Sequence, residues 1–367
     1  MLWLVLGLGL SACSRQSLLQ GSAVRLMQAV GHCRYDTVNR QLPTLESLQD
    51  IKGALGRVVT SPQNVETRAE ILDHATGFAT VDTDFSESGG VLVPMDYNTL
   101  FAVSLYAEVE TAHLTFAGLD PAADMTRLLP GFGSRTFIVH EARRTLGGEV
   151  GKAPETTDNA EFLGHFPSDG GPTINYLFSF PTREVSGMPL GLNLGIMAHE
   201  YTHLIFHHLF HVPFKDQHLE HATNSSFVTL SAFEEGLADY FGYLASKDPG
   251  YFDCSFPGSG RDVSQPKHFT AEIVSRLQSD PDADIHEAGA VWAAIAYQIG
   301  QASSHEENGR ALIKMMPALL QCLRSGTAIR ADFAKIAACH QQVAGSAAAT
   351  VQRVYSQYMG AAAGGIR

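Results

Sequence analysis

The sequence predicts an α+β fold in two lobes, a mixed α/β N-terminal half followed by a helical C-terminal half, dividing around residues 190–200. Three observations carry this. At 367 residues the chain is long enough to build two lobes around a large core and too short for many independent domains. Hydrophobic residues make up 45% and charged residues 17%, a balance that excludes bulk disorder, collagen-like repeats and a highly charged coiled coil. Short strand-like runs separated by Gly, Pro and Asp-rich loops give way near residue 190 to apolar residues at helical spacing, which continue to residue 359.

The first element is an apolar run at residues 2–10 (LWLVLGLGL). It is too short to cross a bilayer, where a helix needs roughly 20 residues, and it reads as the core of a signal peptide. Leu10-Ser11-Ala12-Cys13 resembles the lipobox of bacterial lipoproteins. That resemblance implies cleavage after residue 12, lipidation of Cys13, export, and anchoring at the outer membrane or the periplasmic face. Setting Cys13 aside leaves Cys33, Cys254, Cys322 and Cys339 in a compartment where disulfides persist. Cys322 and Cys339 each end an apolar helical stretch, which suggests that they pair; Cys33 with Cys254 is the weaker pairing. There is no CxxC, so neither a thioredoxin-like nor a Cys-based zinc site is indicated.

Residues 13–80 are mixed and polar, with amphipathic fragments such as 45–55, and read as an N-terminal extension. Residues 81–198 form the α+β lobe. Within it, residues 96–116 (DYNTLFAVSLYAEVETAHLTF) keep apolar positions at helical spacing up to Gly118, the usual C-terminal stop. Strands are expected at 136–140 (TFIVH) and 173–180 (TINYLFSF). Residues 199–360 form the helical lobe, followed by an Ala/Gly-rich tail at 361–367. Lys and Arg number 25 against 38 Asp and Glu, a net charge of −13, so the electrostatic footprint of a nucleic-acid binder is missing. The chain is expected to act as a monomer.

At the junction of the two halves stands His199-Glu200-Tyr201-Thr202-His203, an HExxH inside an apolar helix. Positions i and i+4 share one helix face about 6 Å apart along the axis, so both imidazoles can reach one Zn²⁺, and Glu200 can act on a water there as general base. Further on, Ser231-Ala232-Phe233-Glu234-Glu235-Gly236-Leu237-Ala238-Asp239 is predicted to open another helix. Ser231 and Glu234 have capping-box spacing, which assigns Glu234 to the helix terminus and leaves Glu235 to face inward as third ligand. Asp239, one turn on, can accept the outer N–H of a ligand histidine.

HExxH followed by ExxxD resembles the gluzincin metallopeptidases, and other segments are similar to their thermolysin and fungalysin branch. Arg261-Asp262-Val263-Ser264-Gln265-Pro266 resembles a segment whose Arg holds a substrate carbonyl. The segment from Asp284-Ile285-His286 to Ala293 resembles the one carrying an oxyanion-stabilising His with an acidic partner. Asn159-Ala160-Glu161-Phe162 looks like the edge strand that pairs with substrate backbone. The resemblance runs from about residue 90 to 360 in the same order. It implies a thermolysin-like two-lobed fold, a Zn²⁺ cofactor and endopeptidase activity on a peptide or protein substrate. His199, His203 and Glu235 would be ligands, Glu200 the base, His286 the electrophile with Asp284 behind it, and Arg261, Asn159 and Ala160 substrate-binding residues. Two departures stand out. Where the family has a Tyr about a dozen residues beyond the HExxH, this chain has Phe206-His207-His208-Leu209-Phe210-His211 and onward to Phe214, without a Tyr. The segment between Asp239 and Arg261 is too short for the family's acidic calcium cluster, which leaves a Ca²⁺ requirement open.

Overall fold

Val24 and Leu26 bury one face of strand β1 (Ala23–Gly31) and Met27 is buried on the other; the strand turns through a hairpin into the largely exposed β2 (Arg34–Arg40). With β7 (Phe85–Ser88) and β8 (Val91–Pro94) these make a four-stranded sheet of order β2-β1-β8-β7, in which β1 and β8 run parallel. The computed structural model describes residues 22–61, 69–142, 159–180, 187–217, 220–221, 224–280 and 283–359. Cys13 and the apolar run before it lie outside the described residues, and no described helix is long and apolar enough to cross a membrane.

A second sheet has the order β10-β11-β9-β5-β4-β3, built from β3 (Leu45–Ser47), β4 (Lys52–Gly53), β5 (Gly56–Thr60), β9 (Thr136–His140), β10 (Ala160–His165) and β11 (Ile174–Ser179); β6 (Ala79–Thr80) pairs with β5. β9 is parallel to both β5 and β11, whereas β10 is antiparallel to β11 and forms the outer strand. The chain is therefore mixed α+β. The strands expected at 136–140 and 173–180 are present. The segment read as an N-terminal extension instead supplies β1 to β5, and residues 45–55, read as amphipathic, form two short strands and their turn. The parallel pairing of β5 with β9 joins residues about 80 apart in sequence, a relation no local pattern reveals.

Short helix α1 (Ala69–His74) precedes the central helix α2 (Tyr97–Leu119), whose N-cap Asp96 accepts the Thr99 backbone N–H at 2.8 Å. α2 passes through Gly118 and ends at Leu119 with Asp120 as its C-cap, one residue beyond the expected stop. After α3 (Met125–Leu128), the helical half comprises α4 (Leu194–Phe206), α5 (Val212–Asp216), α6 (Asn224–Ser246), α7 (Tyr251–Ser255), α8 (Ala271–Ser279), α9 (Ile285–Ala302), α10 (His305–Leu323), α11 (Phe333–Val343) and α12 (Ala348–Met359). α6 packs on both α4 and α9, and α4 packs on α2. Phe116, Tyr201 and Phe241 meet where α2, α4 and α6 cross, so one apolar core runs through both halves. Cys322 on α10 and Cys339 on α11 are disulfide-bonded with Cα atoms 5.9 Å apart, and Cys33 in the β1–β2 turn is bonded to Cys254 on α7.

Candidate metal centre

Helix α4 starts because Asn193 caps it: its side-chain oxygen accepts the Ile196 N–H, while its amide nitrogen donates to the Tyr251 carbonyl at 2.8 Å and to Ser255 Oγ at 3.0 Å. One cap thus fixes both the HExxH helix and the neighbouring α7. His199 and His203 emerge from α4 one turn apart, with Nε2 atoms 3.2 Å from each other. Glu235 comes from the facing helix α6, its Oε2 3.4 Å from His199 Nε2 and its Oε1 3.6 Å from His203 Nε2.

The outer nitrogens settle the tautomers. His199 Nδ1 lies 3.0 Å from Asp239 Oδ1, and His203 Nδ1 lies 2.9 Å from Glu234 Oε1. An ionised carboxylate only accepts, so both Nδ1 atoms carry hydrogen, and the two Nε2 atoms face one point where each can give its lone pair to a cation. The buried Oε2 of Glu235 has no hydrogen-bond donor. Two lone pairs and an orphaned carboxylate oxygen converging on one point are the donor set of a cation, and a His₂Glu set suits Zn²⁺. Among the described residues these three are one of two groups that could hold a metal.

Electrostatics agree. Burial alone would push the His203 ring down, yet Glu235, Glu234 and Glu200 outweigh it and hold its pKa at about 10, so a cation binds here by displacing the Nε2 proton. His199 is likewise raised against burial by Asp239 and Glu235. Four carboxylates around two imidazoles make a strongly cation-seeking pocket.

The centre opens into a cleft of about 770 Å³, with β10 on one wall and α9 at the other end. Asn159, Ala160, Glu200, Arg261 and His286 all line it. Ala160 sits on the outer strand of its sheet, paired with Ser179 on the inner side only. His286 lies in the first turn of α9, where N-cap Asp284 accepts its backbone N–H at 2.9 Å and faces its Nδ1 at 3.2 Å; His286 Nε2 is 3.7 Å from Glu235 Oε2. Arg261 grips Asp239 through Nε and one terminal nitrogen and lies 3.6 Å above the Phe252 ring. His199, Glu200, His203, Glu235, Arg261, His286, Asn159 and Ala160 therefore line one cleft, with Asp239 and Asp284 against the His199 and His286 rings, whereas Cys33, Cys254, Cys322 and Cys339 do not line it.

One residue departs from its sequence reading. Glu234 is no helix cap, because α6 begins seven residues before Ser231. Its carboxylate instead bridges His203 Nδ1 and His211 Nε2, at 2.9 and 3.0 Å, and these two histidines hold its pKa down at about 2 against the pull of burial. His207, His208 and His211 divide in the structure. A π-helical turn at His207–His211 shifts the phase of the histidine series. His207 and His211 line the cleft, while His208 turns away to Asn175 Oδ1 at 2.8 Å. Burial drives His207 down to about 3, so it is neutral. The four-residue spacing of His199, His203, His207 and His211 was a legible signal for this; nothing local pointed to Asn193 or Phe252.

No family model matches the chain, and no curated protein matches it.

Proposed function

We propose that the chain is a zinc-dependent endopeptidase of the gluzincin group, with a two-lobed fold of the thermolysin and fungalysin type, exported and lipid-anchored through Cys13. The observation that carries this reading is the convergence of His199, His203 and Glu235 beside Glu200 in a cleft bordered by an outer β-strand. A zinc ion held by these three residues supplies a Lewis acid that polarises a carbonyl and makes a water acidic near neutral pH.

The remaining chemistry belongs to the protein. Glu200, buried on α4 between the two histidines, takes the proton of the attacking water. His286, its Nδ1–H donated to Asp284, stabilises the oxyanion of the tetrahedral state by donating Nε2–H, which requires the doubly protonated, cationic ring. Arg261, steered by Asp239 and Phe252, holds a substrate carbonyl, and the backbone at Asn159 and Ala160 pairs with an extended peptide. Asp239 and Glu234 orient the two imidazoles.

The test is Glu200→Gln. Its zinc content should equal that of wild type while peptide turnover falls by at least the 10²–10⁴-fold typical of a lost general base. Equal cleavage by both proteins would overturn the mechanism. Failure of the zinc-loaded wild type to cleave any member of a broad peptide library, with peptide binding intact, would favour a lipid-anchored scaffold that binds peptides without turnover.

A further inference from the structure

A second cavity of about 460 Å³ is lined by His32, Cys33, Asp248 and Cys254 among others, none of which lines the cleft. His32 Nδ1 is 2.8 Å from Asp248 Oδ2 and 3.9 Å from Cys254 Sγ, while its Nε2 is 3.4 Å from Cys33 Sγ. Cys254 Sγ is itself 3.9 Å from Asp248 Oδ2. An imidazole, two sulfurs and a carboxylate thus occupy one small volume, and the first three satisfy the spacing of a metal site.

We propose that reduction of the Cys33–Cys254 disulfide creates a second metal site, in which Cys33 Sγ, Cys254 Sγ and His32 bind a borderline-soft divalent cation such as Zn²⁺ while Asp248 holds the His32 ring at Nδ1. Reduction by a dithiol consumes two electrons and two protons, yields two thiols and leaves the reductant as its own disulfide. Metal binding then releases the two thiol protons to solvent, and two thiolates and one imidazole supply three ligands, with the fourth position open to water. His32 and Cys33 are exposed, so reductant and ion reach the site from solvent. The Asp248 carboxylate also lowers the local cost of bringing in a cation.

The site has a structural consequence. The disulfide links the β1–β2 hairpin to α7, and α7 carries Phe252, which packs edge-on against the His199 ring with centroids 5.5 Å apart. A bound ion restores that link when the disulfide is open. The proposal stands without the peptidase reading, since it uses none of the cleft residues.

Co²⁺ alone serves as the probe, because thiolate ligation produces a sulfur-to-cobalt charge-transfer band that a His₂Glu site cannot give. The full chain is titrated oxidised and after dithiol reduction, with mass mapping of alkylated thiols to verify that Cys33 and Cys254 are open. The reduced protein should show the band and bind one more equivalent than the oxidised protein. Cys33→Ser should lose the band, Asp248→Asn should weaken the site at least about tenfold, and Cys322→Ser should behave as wild type. A further readout is thermal stability: zinc should raise the midpoint of the reduced protein more than that of reduced Cys33→Ser. Absence of the band in protein shown to be reduced, or its survival in Cys33→Ser, overturns the proposal.

Discussion

Glu234 Oε1 stands 2.9 Å from His203 Nδ1, and its other oxygen stands 3.0 Å from His211 Nε2. One buried carboxylate therefore ties a proposed ligand to a histidine two turns farther along the chain. An anionic acceptor at Nδ1 fixes the ring and makes Nε2 more basic, so Glu234→Gln should weaken zinc binding by about 10–100-fold. His211→Ala removes only the far end of the bridge and should cost less than tenfold. Chelator competition on the two variants measures both, and equal affinities for wild type and Glu234→Gln would remove this carboxylate from the centre.

Glu235 owes its position to two glycines. A Cβ on Gly289 of α9 would lie 2.7 Å from the Cβ of Glu235, and one on Gly236 of α6 would run into the Cβ of Trp292. Only bare backbone lets α6 and α9 cross this closely. Gly289→Ala should destabilise by roughly 1–3 kcal/mol and weaken zinc binding with it. Gly118→Ala is the contrast, since nothing stands within 4 Å of its Cβ position on α2; removing a helical glycine there should stabilise by about 0.5–1 kcal/mol. Denaturant midpoints of the two variants should move in opposite directions.

The centre was legible where its geometry is local. The i, i+4 spacing of His199 and His203, the i, i+4 spacing of Glu235 and Asp239, and the cap-plus-two relation of Asp284 and His286 each live within one turn of helix, where sequence spacing is spatial spacing. Glu234 was misread for the same reason: Ser231 three residues before it satisfies a capping pattern, and only the seven earlier residues of α6, polar at Asn224, Ser225 and Ser226, show that the helix is already under way. The sheets were legible in part. β9 and β11 are apolar and buried, whereas β2 is mostly exposed and polar and is a strand through its hairpin with β1, and β5 is fixed by its pairing with the distant β9.

Glu108 makes stability depend on pH. It is fully buried in α2, neither carboxyl oxygen has a hydrogen-bond partner, and burial raises its pKa from 4.5 to about 8 against the weak pull of Arg40. The folded state therefore keeps a proton that the unfolded chain has lost. Stability from this group is fully present below pH 4.5, falls as pH rises, and is gone above about 8. Glu108→Gln carries no such proton, so its stability should vary less between pH 5 and 9, by an amount on the order of a few kcal/mol. Thermal midpoints across that range supply the comparison; parallel curves for the two proteins would falsify the assignment.

The bond between Cys322 and Cys339 closes a loop of 17 residues between α10 and α11. A loop of that length restricts the unfolded chain enough to stabilise by about 3 kcal/mol. The double variant Cys322→Ser, Cys339→Ser should lose roughly that much in denaturant unfolding. Zinc content and the proposed peptidase activity should stay unchanged at temperatures where the variant is folded, because the bridge lies on helices that contribute nothing to the cleft.

His286 and Asp284 separate turnover from binding. Among the described residues lining the cleft there is no tyrosine, and His286 reaches it from the positive end of α9 with Nε2 near Glu235. In the proposed reaction its ring meets negative charge that exists only in the tetrahedral state. His286→Ala should therefore lower kcat by roughly 10²–10³ and leave KM within a few-fold. Asp284 acts through the ring it holds at 3.2 Å, so Asp284→Ala should give a smaller kcat loss in the same direction. Asp284 also caps α9, accepting the His286 N–H, and Asp284→Asn keeps that cap while weakening the grip on Nδ1. Asp284→Asn should thus preserve the thermal midpoint yet share the kcat loss, which separates orientation of His286 from simple fraying of the helix. A His286→Ala variant with raised KM and unchanged kcat would place this residue in substrate binding and leave the oxyanion to other groups.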